Sequence, residues 1–324
     1  MRRREFITLL GGAAAAWPFA GNAQQPAMPV VGFLSSGRAT APVVGFFRRG
    51  LHESGYVEGR NVAIEDRFAD GQYDGLPALA ADLVRRQVSV LATSGSPAAL
   101  VAKAATTTIP IVFGFGGDPV KAGLVASLNR PGGNITGISF LTSQLESKRL
   151  GLLRELMPQA TAIAVLLNDT NVNAENQSAE VKETGRTLGM PLHIVNASSA
   201  RDFDGAFTAI VRTGARALLV AADPFYFGQR EQLVALAARH ALPAIYDFSA
   251  YPHVGGLASY GTHLADAYRQ VGLYAARVLK GEKPADLPVM QSTRFEFVIN
   301  LKTAKALGLE ISPSLLARAD EVIE

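Results

Sequence analysis

The chain contains no cysteine. That excludes disulfides, thiolate metal sites, a cysteine nucleophile and a lipid-modified N-terminal cysteine. The few histidines, His52, His193, His240, His253 and His263, show neither H-x-x-x-H nor H-E-x-x-H spacing, so no metal centre is expected. A G-x-S-x-G elbow is missing, as are a P-loop and a G-x-G-x-x-G dinucleotide fingerprint; no cofactor is expected. Past the first two dozen residues, no apolar run reaches the roughly 20 residues that a membrane-spanning helix requires. Net charge is nearly absent too. Setting aside residues 1–23 takes Lys+Arg from 31 to 28 and Asp+Glu from 28 to 27, hence the formal charge from +3 to +1. Such a balance offers no electrostatic footprint for nucleic acid.

What is present begins with MRRREFITLLGGAAAAWPFAGNA. A basic stretch at Arg2, Arg3 and Arg4 precedes an uncharged run from Ile7 to Ala16, and small residues at Gly21 and Ala23 mark a cleavage site before Gln24. That layout is an export signal, too short and too weakly flanked to span a membrane. The paired arginines followed by Glu5-Phe6-Ile7 resemble a twin-arginine address. The expected location is the periplasm, with no direct membrane anchor.

The remainder alternates short β-branched apolar runs with amphipathic stretches. Strands are expected at Pro29–Leu34, 61–67, Val88–Thr93, Pro110–Phe115 and Asn134–Phe140, with helices near 43–54, 77–86, 96–106 and 121–128. The pattern restarts with a helix over 144–156 and a strand over 162–167. It continues through helices at 173–188, 203–213 and 230–240 and strands at 193–196, 217–221 and 243–246. Strand, helix, strand at this spacing produces right-handed βαβ units and a parallel sheet. Two doubly wound α/β halves are expected. Late segments, LASYG at 257–261, a helix over 263–279 and a strand over 294–299, suggest a return to the first half before the chain ends on the second.

Open parallel sheets bind ligands beyond the carboxyl ends of their strands. In the first half those tips carry Ser35-Ser36-Gly37, Ser94-Gly95-Ser96-Pro97 and Gly116-Gly117-Asp118-Pro119; in the second, Asn168 to Asn171, Asp223-Pro224-Phe225, and Tyr246 followed by Asp247-Phe248. Ser94-Gly95-Ser96 is the most informative. Serine before proline is a good helix N-cap, and a helix start flanked by hydroxyls is a natural carboxylate seat. Capping and ligand binding both remain open for Ser96. Asp118 reads as a cap for a helix after Pro119, with Gly116 and Gly117 letting backbone approach a small ligand. Asp223 has two readings, a helix cap or a carboxylate that meets a ligand ammonium. Phe225 and Tyr246, among several aromatics near these tips, supply an apolar wall with a polar edge.

The segments RREFITLLGGAAAAWP, VGFLSSG, SGSPAALVAKAAT, TIPIVFGFGGDPVKAGLVASLNRPGGNITGIS, PAIYDF and GGLASYG resemble the substrate-binding proteins of ABC importers. The branch is the one that includes tryptophan- and aromatic-amino-acid-uptake proteins. The likeness covers essentially the whole chain after the export signal, and 109–139 is its most specific part. It implies the type I periplasmic binding fold: two Rossmann-like lobes with parallel sheets, joined by crossover strands, closing on a small-molecule ligand. The expected division places 28–140 and 256–285 in lobe 1, 141–255 and 286–324 in lobe 2. By the same resemblance, the loop from Ser94 to Ser96 holds a ligand carboxylate, Gly116 to Asp118 adds contacts, and Asp223 meets the ammonium. The sequence departs from many relatives in carrying Ser249-Ala250-Tyr251 after PAIYDF, where an Arg-Glu-Phe-like stretch is common. The expected function is a monomeric, non-enzymatic receptor that delivers an amino acid or aromatic acid to ABC permease subunits. A periplasmic sensory partner and an exported hydrolase are the competing readings.

Overall fold

In the computed structural model, which describes residues 28–324, the chain forms two α/β lobes; the expected export segment 1–23 lies outside the described residues. The first lobe is built on β1 (Val30–Ser35), β2 (Ala63–Phe68), β3 (Val90–Ser94), β4 (Ile111–Phe115) and β5 (Ile135–Ser139). Its helices are α1 (Val43–Glu53), α2 (Leu76–Arg85) and α3 (Ser96–Ala105). The second lobe carries α4 (Glu146–Leu156), β6 (Ile163–Leu167), α5 (Ala174–Thr187), β7 (Leu192–Asn196), α6 (Phe203–Arg212) and β8 (Ala217–Val220). It continues with α7 (Pro224–Gly228), α8 (Arg230–Arg239), β9 (Ala244–Tyr246), α9 (Ala250–His253) and β10 (Ala258–Thr262). The chain ends with α10 (Leu264–Leu279), β11 (Met290–Gln291), β12 (Phe295–Asn300), α11 (Leu301–Ala306), α12 (Pro313–Leu316) and β13 (Glu321–Ile323). The sheet orders are β11-β5-β4-β3-β1-β2 and β13-β12-β10-β9-β8-β6-β7. All pairings are parallel except β10 with β12.

Strands β3, β4, β5, β6 and β8 are buried along their whole length, as the inner strands of a sheet covered on both faces should be. The edge strands β2 and β7 are only half-buried and correspondingly more polar. Helix α1 places Val43, Val44, Phe47 and Leu51 on one buried face, the spacing of an amphipathic helix. It crosses α10 at very close range, because Gly50 and Gly272 face each other: a Cβ on Gly50 would lie 2.0 Å from the Arg269 carbonyl oxygen. Any side chain at either position would force these helices apart, and this contact fixes α10 on the first lobe.

The chain crosses between lobes near 139–146, 262–264 and 291–295. These segments run side by side: Thr262 donates to the Phe140 carbonyl, His263 N–H to Arg294 and Ser292 N–H to Ser139. The expected division of the chain is displaced at two strands. Residues 258–262, expected in the first lobe, form β10 between β9 and β12 of the second sheet. Met290–Gln291, expected in the second, pairs with β5 of the first. A strand's apolar pattern does not say which of two sheets it will join. The helix expected over 121–128 is also absent. There the Leu124 and Val125 amides both donate to the Pro119 carbonyl, a turn that no α-helix continues.

Candidate functional site

The strand tips of the two lobes face each other across a cleft whose empty space, its mouth included, is about 600 Å³. From the first lobe it is lined by Ser35, Ser94, Gly95, Ser96 and Gly116, and from the second by Asn171 and Asp223. These seven sequence-predicted residues are brought together. The other six, Ser36, Gly117, Asp118, Asn168, Phe225 and Tyr246, do not line the cleft.

On the first lip the backbone does most of the positioning. Gly95 has φ +93° and turns the chain from β3 into α3, so the N-cap is Gly95 and not Ser96. The cap oxygen comes from the residue after β1 instead: Ser36 Oγ accepts the Ala98 N–H at 3.0 Å. Of the two readings open for Ser96, capping is thereby set aside. Ser96, the first helical residue, is left to face the cleft, where its N–H has no intrahelical acceptor. Its Oγ accepts from Gly116 N–H at 3.1 Å and from Asn173 Nδ2 at 3.0 Å, which leaves the hydroxyl hydrogen free to donate. Ser94 Oγ lies 2.7 Å from the Tyr268 hydroxyl. Neither serine is paired with a base: burial pushes Tyr268 up to about 12. Asp118 does cap, but it caps the turn after Pro119, accepting from Val120 and Lys121 N–H. Gly117 packs beside Asn173, where a Cβ would come within 2.6 Å of Asn173 Oδ1.

The second lip is held by side chains. Asp223 caps α7 by accepting from Phe225 N–H at 2.7 Å and Tyr226 N–H at 3.2 Å. The same carboxylate accepts from Asn168 Nδ2 at 3.1 Å, Asn171 Nδ2 at 2.6 Å and the Tyr73 hydroxyl at 2.8 Å. Asn168 is therefore a strut behind the wall. Burial raises the Asp223 carboxyl while these donors lower it, with burial the larger effect. Beneath the lip lies a fully buried ion pair, Glu146 with Arg149 at 2.9 Å. Glu146 also accepts from the Ala222 N–H and Gln177, and Arg149 donates to the carbonyls of Thr142 and Tyr260. Ala222 and Thr142 both line the cleft, so this pair sets its floor.

Phe225 and Tyr246 turn away from the cleft, because each has a better apolar partner in the core. Phe225 stacks on Phe203 at 5.5 Å and Tyr246 on Tyr251 at 4.3 Å. The aromatic walls come from elsewhere. Phe140 and Tyr268 meet edge-on at 5.0 Å on the first side, Phe227 and Phe248 at 5.4 Å on the second. Asp247 is a further wall residue. Sequence reasoning placed Asp247 and Phe248 at a strand tip without choosing them. It had no signal for Tyr268, which reaches the cleft only because α10 returns to the first lobe.

The lobes are shut on each other. Tyr73 of the first bonds Asp223 of the second, and Asn173 of the second bonds Ser96 of the first. A Cβ on Gly95 would sit 3.0 Å from Pro224 Cγ across the gap. Among the described residues no helix is long and apolar enough to cross a membrane.

Known proteins match this arrangement. The chain is 28% identical over 264 residues to the tyrosine-binding protein of Clostridioides difficile (strain R20291), covering 82% of this chain and 76% of that one. A solved structure from Streptococcus pneumonia in complex with L-Trp is 25% identical, covers 91% of this chain and 99% of that one, and superposes with a TM-score of 0.81. The ligand-free, open structure of a substrate binding protein with adhesive properties from Clostridium difficile has nearly the same identity, 26%, and the same coverage, 91% and 99%, but a TM-score of 0.64. Kinship being equal, the difference fits the shut lobes seen here. The fold is that of type I periplasmic binding proteins. The sequence profile of the ABC transporter substrate binding protein family matches residues 29–323, and the chain belongs to that family.

Proposed function

We propose that this protein is the periplasmic receptor of an ABC importer, that it captures an aromatic amino acid between its lobes, and that the shut form hands this solute to the permease. The observation that carries the reading is the pairing of walls: two aromatic pairs, one from each lobe, flank a cleft that has a helix start at one end. A planar side chain held between them gains contact from both lobes only when they are shut. A carboxylate at the start of α3 meets the Ser96 N–H and hydroxyl. Among the described residues no lysine, arginine or histidine lines the cleft, so backbone and hydroxyl donors take the anion. The names of the relatives, one binding tyrosine and one complexed with L-Trp, point the same way.

Closure then follows from differential affinity. A solute that touches both lips binds the shut form better than the open one and shifts the population toward it. The test is a thermal-shift and calorimetric screen of the protein against tyrosine, tryptophan, phenylalanine and aliphatic amino acids. A ligand at 100 times its dissociation constant adds about 2.7 kcal/mol of stability. Aromatic amino acids should stabilise most. Stabilisation by none of them would overturn the reading.

A further inference from the structure

Two carboxylates stand on the second lip, and they are in opposite states. Asp223 is saturated by its five donors, two of them backbone amides that it caps. Asp247 is 3% exposed, lines the cleft and, among the described residues, accepts a hydrogen bond only from its own backbone N–H. Its charged and titratable neighbours are Arg149 and Glu146 on α4, Asp223 at the β8 tip and Tyr251 on α9. The one cation among them is already committed: Arg149 is bound to Glu146 and to two backbone carbonyls. Tyr251 is close enough to feel the Asp247 charge, but does not bond it. A buried carboxylate held only by its own backbone N–H is costly, and the space it faces is the cleft.

We infer that Asp247 is the cation acceptor of the cleft and that it restricts this receptor to solutes bearing a protonated amine. The inference rests on capture in this cleft, as proposed above, and moves the amine contact from Asp223 to Asp247. With the anion seat at Ser96 on one lip and Asp247 on the other, a zwitterion is oriented in a single sense. Deaminated aromatic acids leave Asp247 unpaired and are rejected, because a buried group built to bond and left unbonded is penalised. Proton linkage follows. Burial pushes the Asp247 carboxyl up to about 8 in the empty shut cleft. An arriving ammonium therefore displaces a proton at neutral pH, and affinity rises as pH approaches 8.

The test compares L-tyrosine and L-tryptophan with 3-(4-hydroxyphenyl)propionate and indole-3-propionate, by calorimetry on the wild-type protein, Asp247→Asn and Asp247→Ser. The wild type should prefer each amino acid over its deaminated partner by roughly a hundredfold. In buffers of different ionisation enthalpy it should release close to one proton per ligand at pH 7. Both variants should lose most of that preference and all of the proton release. Equal wild-type affinity for both classes, binding without proton release, or unchanged preference in the variants would overturn the role of Asp247 and leave an aromatic receptor standing. If none of the four compounds binds the wild type, the proposed function falls and this inference falls with it.

Discussion

The two lips of the cleft are made of different material. The first is backbone and hydroxyl: a glycine turn, a helix start and serines whose positions follow from strand ends in a parallel sheet. The second is carboxylate and amide, held by side chains that hold one another, with a buried ion pair below. On the proposed reading one lip takes an anion and the other a cation, so the asymmetry would orient a dipolar guest. It also makes the two lips unequally fragile. A helix terminus survives most substitutions around it, whereas a network of buried charges fails when one member is removed.

The sharpest way to break that comparison is at the ion pair. In Glu146→Gln, Arg149 keeps its carbonyl acceptors but loses its counter-charge at zero exposure, which costs about 3–5 kcal/mol of unfolding free energy. Chemical denaturation should show a loss of this size. Ser36→Ala, which removes the α3 cap on the first lip, should cost only about 1 kcal/mol. Equal losses would erase the contrast between the lips.

A smaller effect concerns Asp247 and pH. Its carboxyl is raised in the shut protein and ordinary in the unfolded chain, so between pH 4 and 8 the unfolded state has released a proton that the folded state keeps. Stability without ligand should therefore fall as pH rises through that window. Asp247→Asn removes the dependence. The melting temperatures of variant and wild type should converge toward pH 4 and separate toward pH 8, with the variant higher. Parallel curves would show that Asp247 finds a partner when the cleft is empty.

On the first lip, Ser96→Ala removes the hydroxyl that faces the guest and receives Asn173 from the other lobe. Affinity for amino acids should fall roughly tenfold. Asn173→Ala should then cost little more in the double variant, because both substitutions remove the same bond. Full additivity would mean that Ser96 acts on the ligand alone.

Much of this was legible in the sequence, and the failures have physical causes. Alternation of apolar runs and amphipathic stretches located nearly every strand of both sheets, since a strand covered on both faces is largely apolar. Ser94 to Ser96 could be read as a site because a strand tip that begins a helix exposes N–H groups whatever the surroundings. Choosing between Asp223 and Asp247 was beyond the same logic. Asp-Pro announces a cap, but only the fold reveals that Asn168, Asn171 and Tyr73 complete its shell and that no other described residue bonds the Asp247 carboxylate. Glu146 and Arg149 stand at ordinary i, i+3 spacing on a helix, and nothing local marks the pair as buried, because burial by a crossover is not a local property. Residues 258–262 were assigned to the wrong sheet for the same reason.

The smallest effect tests whether the lips are coupled or merely adjacent. The Tyr73 hydroxyl spans the gap to Asp223 and is the first lobe's contribution to a carboxylate that is otherwise satisfied by its own lobe. In Tyr73→Phe, Asp223 keeps four donors and its cap, so the second lip should hold its shape and unfolding should change little. What is lost is the hydroxyl's pair of contacts made only in the shut form, the bond it donates to Asp223 and the longer one it accepts from Phe225 N–H, about 1 kcal/mol together. The shut population should fall by a factor of about five, and every ligand should weaken by that same factor. The informative quantity is thus the ratio of tyrosine to tryptophan affinity, which should not move. A changed ratio would place the Tyr73 ring against the guest, and the first lip would then read the solute as well as close on it.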